Sequence, residues 1–206
     1  VAGRGTRYTE ERKSSLIVES EDLSSFVKKN VDPEDHFAVF GHSMGCFMAF
    51  EVVRRLLKEK YYRKRLSHVF FSGNRAPHLN GKGAYHSETY KLSEKEFEKR
   101  VLDEGGTSAE VFENKSLFSV FVPILRADYK MTESYSYPES DIPKLECDIS
   151  VMNGLQDSLS KYEVDQWGKY CSEKNEFDIQ YFDGGHFYMD NVPDKVAAYI
   201  NGKLLA

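Results

Sequence analysis

The chain has 206 residues, 40% hydrophobic and 14% aromatic, which suffices for one domain with a sizeable core and room for an inserted segment. Its formal net charge of −5 argues against a nucleic-acid binder, and its greasiest run, "SLFSVFVPIL" (116–125), is too short to span a bilayer and contains Pro123. The three cysteines, Cys46, Cys147 and Cys171, are odd in number and lack metal-ligand spacing, so they read as free thiols in a reducing, cytoplasmic compartment.

The opening "VAGRGTR" lacks methionine and shows no signal-peptide pattern. It reads as though cut at the end of a strand, so N-terminal strands of the sheet are expected to be missing from this chain. The first predicted strand is "HFAVF" (36–40), followed by a helix from Met44 to about Lys60, with Glu51, Arg54, Arg55 and Lys58 away from its apolar positions. The second strand is "LSHVFFSG" (66–73). Residues 74–146 then form a connection far longer than a simple crossover needs. Within it Ser93 and Glu96 form a capping box, with Leu92 and Phe97 as a staple. A further helix is expected from near Ser108, meeting trouble at Pro123.

The third and fourth strands are "CDISVMNG" (147–154) and "FDIQYFDG" (177–184), separated by a helix over Lys161 to Glu173. A last helix covers about Asp194 to Leu205. Strand and helix in alternation predict an α/β fold, a mostly parallel sheet flanked by helices. The insertion at 74–146 reads as a helical lid, because inserts after the carboxyl end of a strand sit over the ligand crevice. Residues 1–206 are thus expected to form a single domain carrying this lid.

The segment "GHSMG" is G-x-S-x-G between a predicted strand and a predicted helix, the context of a nucleophile elbow. The turn lifts the Ser43 oxygen above the sheet, and side chains at Gly41 and Gly45 are expected to collide with strand and helix. The N–H of Met44 then faces an oxyanion at the helix start. A nucleophilic serine needs a base, and the base an orienting acid. His42 is too close on a tight turn to be the base, and its ring is expected to point elsewhere. His36 and His68 lie at strand starts, the opposite edge. His78 and His86, in or beside the insertion, read as solvated loop residues, with contact to ligand as the alternative. Only His186, in "YFDGGHFYM", follows the carboxyl end of a strand. For the acid, Asp157 follows the third strand at that same edge, Asp148 lies at the wrong end, and Asp183 is too near His186 in sequence for easy contact, though it stays open. Ser43, Asp157, His186 is the chain order of α/β-hydrolases.

These motifs resemble the type II thioesterases that accompany nonribosomal peptide and polyketide synthases, α/β-hydrolases related to the medium-chain acyl thioesterases of fatty acid synthesis. "AGRGTR" (2–7) resembles a P-G-R-x-x-R segment, "FGHSMG" (40–45) the serine elbow, and "FSGNRAP" (71–77) the strand-end segment. "PILRADYKMTESYSY" (123–137) resembles the L-R-A-D stretch of the lid, and "NGLQD" (153–157) and "GGHFYM" (184–189) the acid and histidine loops. Ala2 stands in place of the usual proline, and Cys46 in place of a small alanine or glycine. The resemblance implies an enzyme that clears misloaded acyl groups from the phosphopantetheine arm of acyl or peptidyl carrier domains, through Ser43, His186 and Asp157. It implies no metal or other cofactor, a second oxyanion N–H from an upstream loop, and a monomer that binds neither nucleic acid nor membrane. A medium-chain fatty acyl thioesterase is the alternative. A carrier-protein acyltransferase fits less well, since it usually places glutamate where Cys46 stands. The basic run "KEKYYRKR" (58–65) reads as a solvated helix end whose cations suit the helix dipole, with a docking patch for an acidic carrier as the alternative.

Overall fold

The computed structural model describes residues 1–32 and 34–205. A 3-10 turn, Gly5–Arg7, leads to helix α1, Leu16–Asn30, which the sequence reading does not anticipate. The reason is chemical. This helix turns Glu19, Ser20 and Ser24 inward and leaves Ile17, Val18 and Phe26 exposed, the reverse of an amphipathic pattern. Ser20 and Ser24 satisfy their hydroxyls on the carbonyls of Leu16 and Ser20, at 2.7 and 2.6 Å, and Glu19 accepts the Ala2 N–H at 2.9 Å.

Strand β1, Phe37–His42, runs into α2, Met44–Leu56, then a short α3, Lys60–Arg63, and β2, Leu66–Ser72. The helix expected to reach Lys60 ends four residues earlier, where the Arg63 guanidinium donates twice to the Leu57 carbonyl, at 3.0 and 2.8 Å. Of the basic run, Arg63 pairs with Glu146 and Arg65 with Glu34, the Arg65 guanidinium lies 4.5 Å from the Tyr61 ring centroid, and Lys58, Lys60 and Lys64 are exposed.

The insertion holds α4, Glu94–Glu104, α5, Glu110–Glu113, and α6, Lys115–Ser134. The capping box forms as expected, with Ser93 and Glu96 each bonding the other's backbone N–H. The trouble expected at Pro123 does not break the helix. Asn114 caps it, accepting from the N–H groups of Ser116 and Leu117, and α6 continues through Pro123. Pro123 and Ser119 face solvent, so water can serve the Ser119 carbonyl that loses its partner. Val122 on the opposite side packs with Phe97 and Val101, a small core belonging to the insertion.

The chain returns through β3, Asp148–Gly154, α7, Lys161–Asp165, β4, Phe177–Phe182, α8, Tyr188–Asn191, and α9, Pro193–Leu204. The helix expected to reach Glu173 tightens after α7 into a 3-10 turn, Gln166–Tyr170, which buries both Trp167 and Tyr170. Trp167 stacks on Phe71 at 3.9 Å between centroids.

The four strands form one parallel sheet in the order β1-β2-β3-β4, with β1 at an edge. Alternation splits the strands between two faces: Val69, Phe71, Ile149 and Val151 pack toward α2, while Phe70, Met152 and Phe182 pack with Tyr188 and α9. The register pairs His42 with Ser72, Ser72 with Met152, and Gly154 with Phe182. The carboxyl ends therefore stand level, and the segments that follow β1, β2, β3 and β4 leave from one edge.

Candidate active site

Ser43 caps α2 with φ 54° and ψ −123°, and it is the one non-glycine residue with positive φ among those described. Such a conformation is costly for a residue with a Cβ and persists only where the surroundings impose it. They do so here: the Ser43 N–H donates to the Ser72 carbonyl at 2.8 Å, and its own carbonyl accepts the Cys46 N–H and the Asn74 amide, both at 2.9 Å. A Cβ on Gly41 would lie 2.2 Å from the Gly45 carbonyl oxygen, so this glycine is required. Gly45 differs from expectation. A Cβ there would meet nothing within 4 Å, because the crowding lies on the Gly41 side of the contact. The helix start leaves its first N–H groups, including that of Met44, without intrahelical acceptors.

Asp157 and His186 come together. His186 Nδ1 lies 3.0 Å from Asp157 Oδ2, with the Asp157 side chain 4% and the His186 side chain 20% exposed. Glycines permit this approach. A Cβ on Gly154 would stand 2.2 Å from the Gly185 carbonyl oxygen, and Gly184, at φ +124°, leaves room for Tyr188 and Asn191. Burial opposes the charge on Asp157, but hydrogen bonds from His186 and from the N–H groups of Ser158 and Leu159 outweigh it and hold the carboxyl below its usual range.

The other candidates lie elsewhere. Asp183 is exposed, and Asp148 accepts from Asn175 and the Glu176 N–H at the opposite edge. His68 is buried against the Ser150 hydroxyl at 2.8 Å, while His36 and His86 are exposed. His78 is not solvated as expected: it is buried, with Nδ1 3.1 Å from the Tyr170 hydroxyl.

His42 departs most from expectation. Its ring lies 4.9 Å from that of His186, centroid to centroid. Its Nδ1 shares a hydrogen bond with the Ser72 hydroxyl at 2.9 Å, which in turn meets the Tyr188 hydroxyl at 2.6 Å. Burial, and then the neighbouring His186, push the His42 imidazole down to about 4, so it is neutral near pH 7. A Cβ on Gly73 would stand 2.8 Å from His42 Cε1 and 3.3 Å from His186 Cε1, so that glycine makes space for both rings. The signal for this cluster is the parallel register of His42 and Ser72, which nothing in the local pattern around residue 42 encodes.

Ser43, Asp157 and His186 line one cavity of about 600 Å³, which residues of the insertion such as Glu104 and Tyr129 also line. Tyr129 donates to the Glu104 carboxylate, joining α6 to the end of α4. Among the described residues, no three His, Cys, Asp or Glu side chains cluster as metal ligands do, and no helix is long and apolar enough to cross a membrane. All three cysteines are free and buried, and burial pushes the Cys46 thiol far up, so it stays protonated beside the serine.

A family model described as "Thioesterase domain" matches residues 27–204. The protein named "Linear gramicidin dehydrogenase LgrE" of Brevibacillus parabrevis is 31% identical over 98% of this chain and 74% of its own length. The "S-acyl fatty acid synthase thioesterase, medium chain" of Rattus norvegicus is 29% identical over 92% of this chain and 69% of its own. Among solved structures, "YbtT - Type II thioesterase from Yersiniabactin NRPS/PKS biosynthetic pathway" superposes with a TM-score of 0.84 at 30% identity, over 97% of this chain and 77% of that one. The parallel sheet, the elbow at its edge and these likenesses lead to one conclusion: the chain belongs to the thioesterase family, serine-type thioester hydrolases of the α/β-hydrolase fold.

Proposed function

We propose that Ser43, His186 and Asp157 are the catalytic triad of a type II thioesterase that acts on acyl groups held by the phosphopantetheine arm of synthase carrier domains. The observation that carries this reading is the 3.0 Å hydrogen bond between His186 and Asp157, in the wall of the cavity onto which the strained Ser43 turn opens. In this reaction Ser43 Oγ attacks the thioester carbonyl carbon while His186 takes its proton. The Met44 N–H stabilises the oxyanion. Collapse of the tetrahedral adduct breaks the C–S bond, and the thiol leaves with the proton from His186. Water then attacks the acyl-serine with His186 again as base, releasing the carboxylic acid and restoring Ser43. Asp157 fixes the imidazole tautomer and stabilises its charged form.

The insertion at 74–146 serves as a lid over this cavity, and a thin pantetheine arm threads beneath it while the carrier stays outside. The likeness to the type II enzyme of the yersiniabactin NRPS/PKS pathway supports the carrier as partner. The three buried free thiols support a reducing, cytoplasmic setting. A second reading, a medium-chain fatty acyl thioesterase, is favoured by the likeness to the rat enzyme. Against it, the cavity wall includes Asn80, Ser87, Thr132 and Glu133, polar groups ill suited to a plain alkyl chain. The test is kcat/KM for one acyl group on a carrier protein, on coenzyme A and on a truncated pantetheine thioester, with Ser43→Ala as the control. A clear preference for the carrier and loss of turnover by at least about a thousandfold in Ser43→Ala support the proposal. Equal values on all three thioesters favour the fatty acyl reading, and turnover by Ser43→Ala removes the triad assignment.

A further inference from the structure

Phe187 follows His186 directly and lines the same cavity. Its ring meets the His186 ring edge-on, at 4.9 Å between centroids and 90° between planes, and lies 5.5 Å from the ring of His42. Against this ring stands a turn from a remote part of the chain, Gly105–Gly106, at the end of α4 in the insertion. Both glycines hold left-handed φ angles, +80° and +73°. A Cβ on Gly106 would lie 2.3 Å from both Cε2 and Cζ of Phe187, while one on Gly105 would lie 3.8 Å from Cδ2. The absence of a side chain at Gly106 therefore does two things. It permits the backbone angle, and it lets the main chain of the insertion rest on the aromatic ring next to the base.

We propose that Phe187 is a positioning residue that couples the insertion to His186. The Gly105–Gly106 turn seats the Phe187 ring, and that ring holds the His186 imidazole in line with Asp157. The proposal rests on the assignment of His186 as the base. Its consequence is that the base is aligned when the turn is seated, so the chemistry is linked to the position of the insertion. Movement of a catalytic imidazole by a fraction of an ångström is enough to slow proton transfer. The polar groups around His186 do not make this arrangement redundant. Asp157 bonds one ring nitrogen only, and His42, though its ring lies 4.9 Å from that of His186, spends its Nδ1 on the Ser72 hydroxyl.

The test is a double-mutant cycle on purified enzyme with an acyl-carrier substrate. Gly106→Ala forces its new Cβ into the Phe187 ring, and kcat is expected to fall at least about tenfold while KM changes less than about threefold. Phe187→Leu removes Cε2 and Cζ, the two nearest of the three ring atoms that would be struck, the third being Cδ2 at 2.8 Å. In that background Gly106→Ala is expected to cost little or nothing further in kcat. Left-handed backbone strain at residue 106 would instead cost the same in both backgrounds, so equal losses would overturn the proposal. Wild-type kcat in Gly106→Ala would also overturn it.

A second measurement does not need Gly106→Ala to fold. In Phe187→Leu the low-field proton resonance of the His186 Nδ1–H···Asp157 hydrogen bond is expected to shift or broaden, and an unchanged resonance with unchanged kcat would overturn the coupling. The two readings separate cleanly. Absence of wild-type turnover on every thioester would remove the hydrolase assignment, whereas the low-field proton would still report whether Phe187 holds His186.

Discussion

Arg4 and Asp128 are joined across 124 positions of sequence: the Arg4 Nε donates to Asp128 Oδ2 at 3.2 Å, and its terminal nitrogen closes on Oδ1. The pair ties the first residues of the chain to α6 in the insertion, and Arg4 also donates to the Ala2 carbonyl at 2.8 Å. Both side chains are largely covered, at 18% and 25% exposure, and burial draws the Arg4 guanidinium below its usual value. Removing one partner leaves the other charge covered and unpaired. Asp128→Ala is therefore expected to lower stability by about 2 to 3 kcal/mol. A denaturation cycle with Arg4→Met should show a coupling of at least about 1 kcal/mol between the two sites. Strictly additive losses would mean the pair contributes nothing as a pair.

The carboxylate assignment has a sharp comparison in Asp157 and Asp183. Asp157→Asn should reduce kcat by up to about ten-thousandfold, because an asparagine amide favours the wrong imidazole tautomer. Asp183 is exposed and the His186 Nδ1 is bonded to Asp157 instead, so Asp183→Asn should stay within about threefold of wild type. Steady-state kinetics on one acyl thioester decides the matter, and the reverse ranking would move the acid to Asp183.

Two glycines of one motif should behave differently. Gly41→Ala drives a Cβ against the backbone of Gly45 and against Ala49, and should cost at least about 2 kcal/mol. Gly45→Ala finds open space within a helix, where alanine is the better helix former, so its thermal midpoint should equal or exceed that of wild type. Thermal melts of the two variants test this directly. A severe loss in Gly45→Ala would contradict the geometry of the elbow.

His42 should leave a mark on the pH dependence of stability. Its folded pKa, about 4, lies below its ordinary 6.5, so between these values the unfolded chain binds a proton that the folded chain does not. Stability contributed by the neutral ring is thus present above about pH 6.5 and lost progressively as the pH falls toward 4. The sum over that window is up to about 3 kcal/mol. His42→Gln, which cannot titrate, should flatten the difference between denaturation free energies measured at pH 7 and pH 4.5. Parallel curves for variant and wild type would show that the ring is not held neutral.

How far the sequence reveals this architecture follows from which forces act locally. The four strands are legible because each is a short β-branched or aromatic run, and Ser43, Asp157 and His186 each follow one of them toward the same edge. Helix α1 is not legible, since Glu19, Ser20 and Ser24 face inward and hydrogen-bond there, which removes the hydrophobic period. Nor is the passage of α6 through Pro123, where packing of Val122 against Phe97 outweighs a local helix breaker. The pairing of His42 with Ser72 and Tyr188 depends on register between strands thirty residues apart and on a loop far beyond them. Such contacts belong to the assembled sheet rather than to any one segment.

The backbone angle at Ser43 sets activity against endurance. Glycine would adopt φ 54° with less strain than serine does, and comparable strain is worth about 1 to 3 kcal/mol. With Ser43 as the proposed nucleophile, Ser43→Gly is expected to yield an inert protein that melts higher than wild type. Any screen of variants by heat tolerance alone would then enrich molecules that have discarded the proposed nucleophile, so turnover has to be selected alongside it.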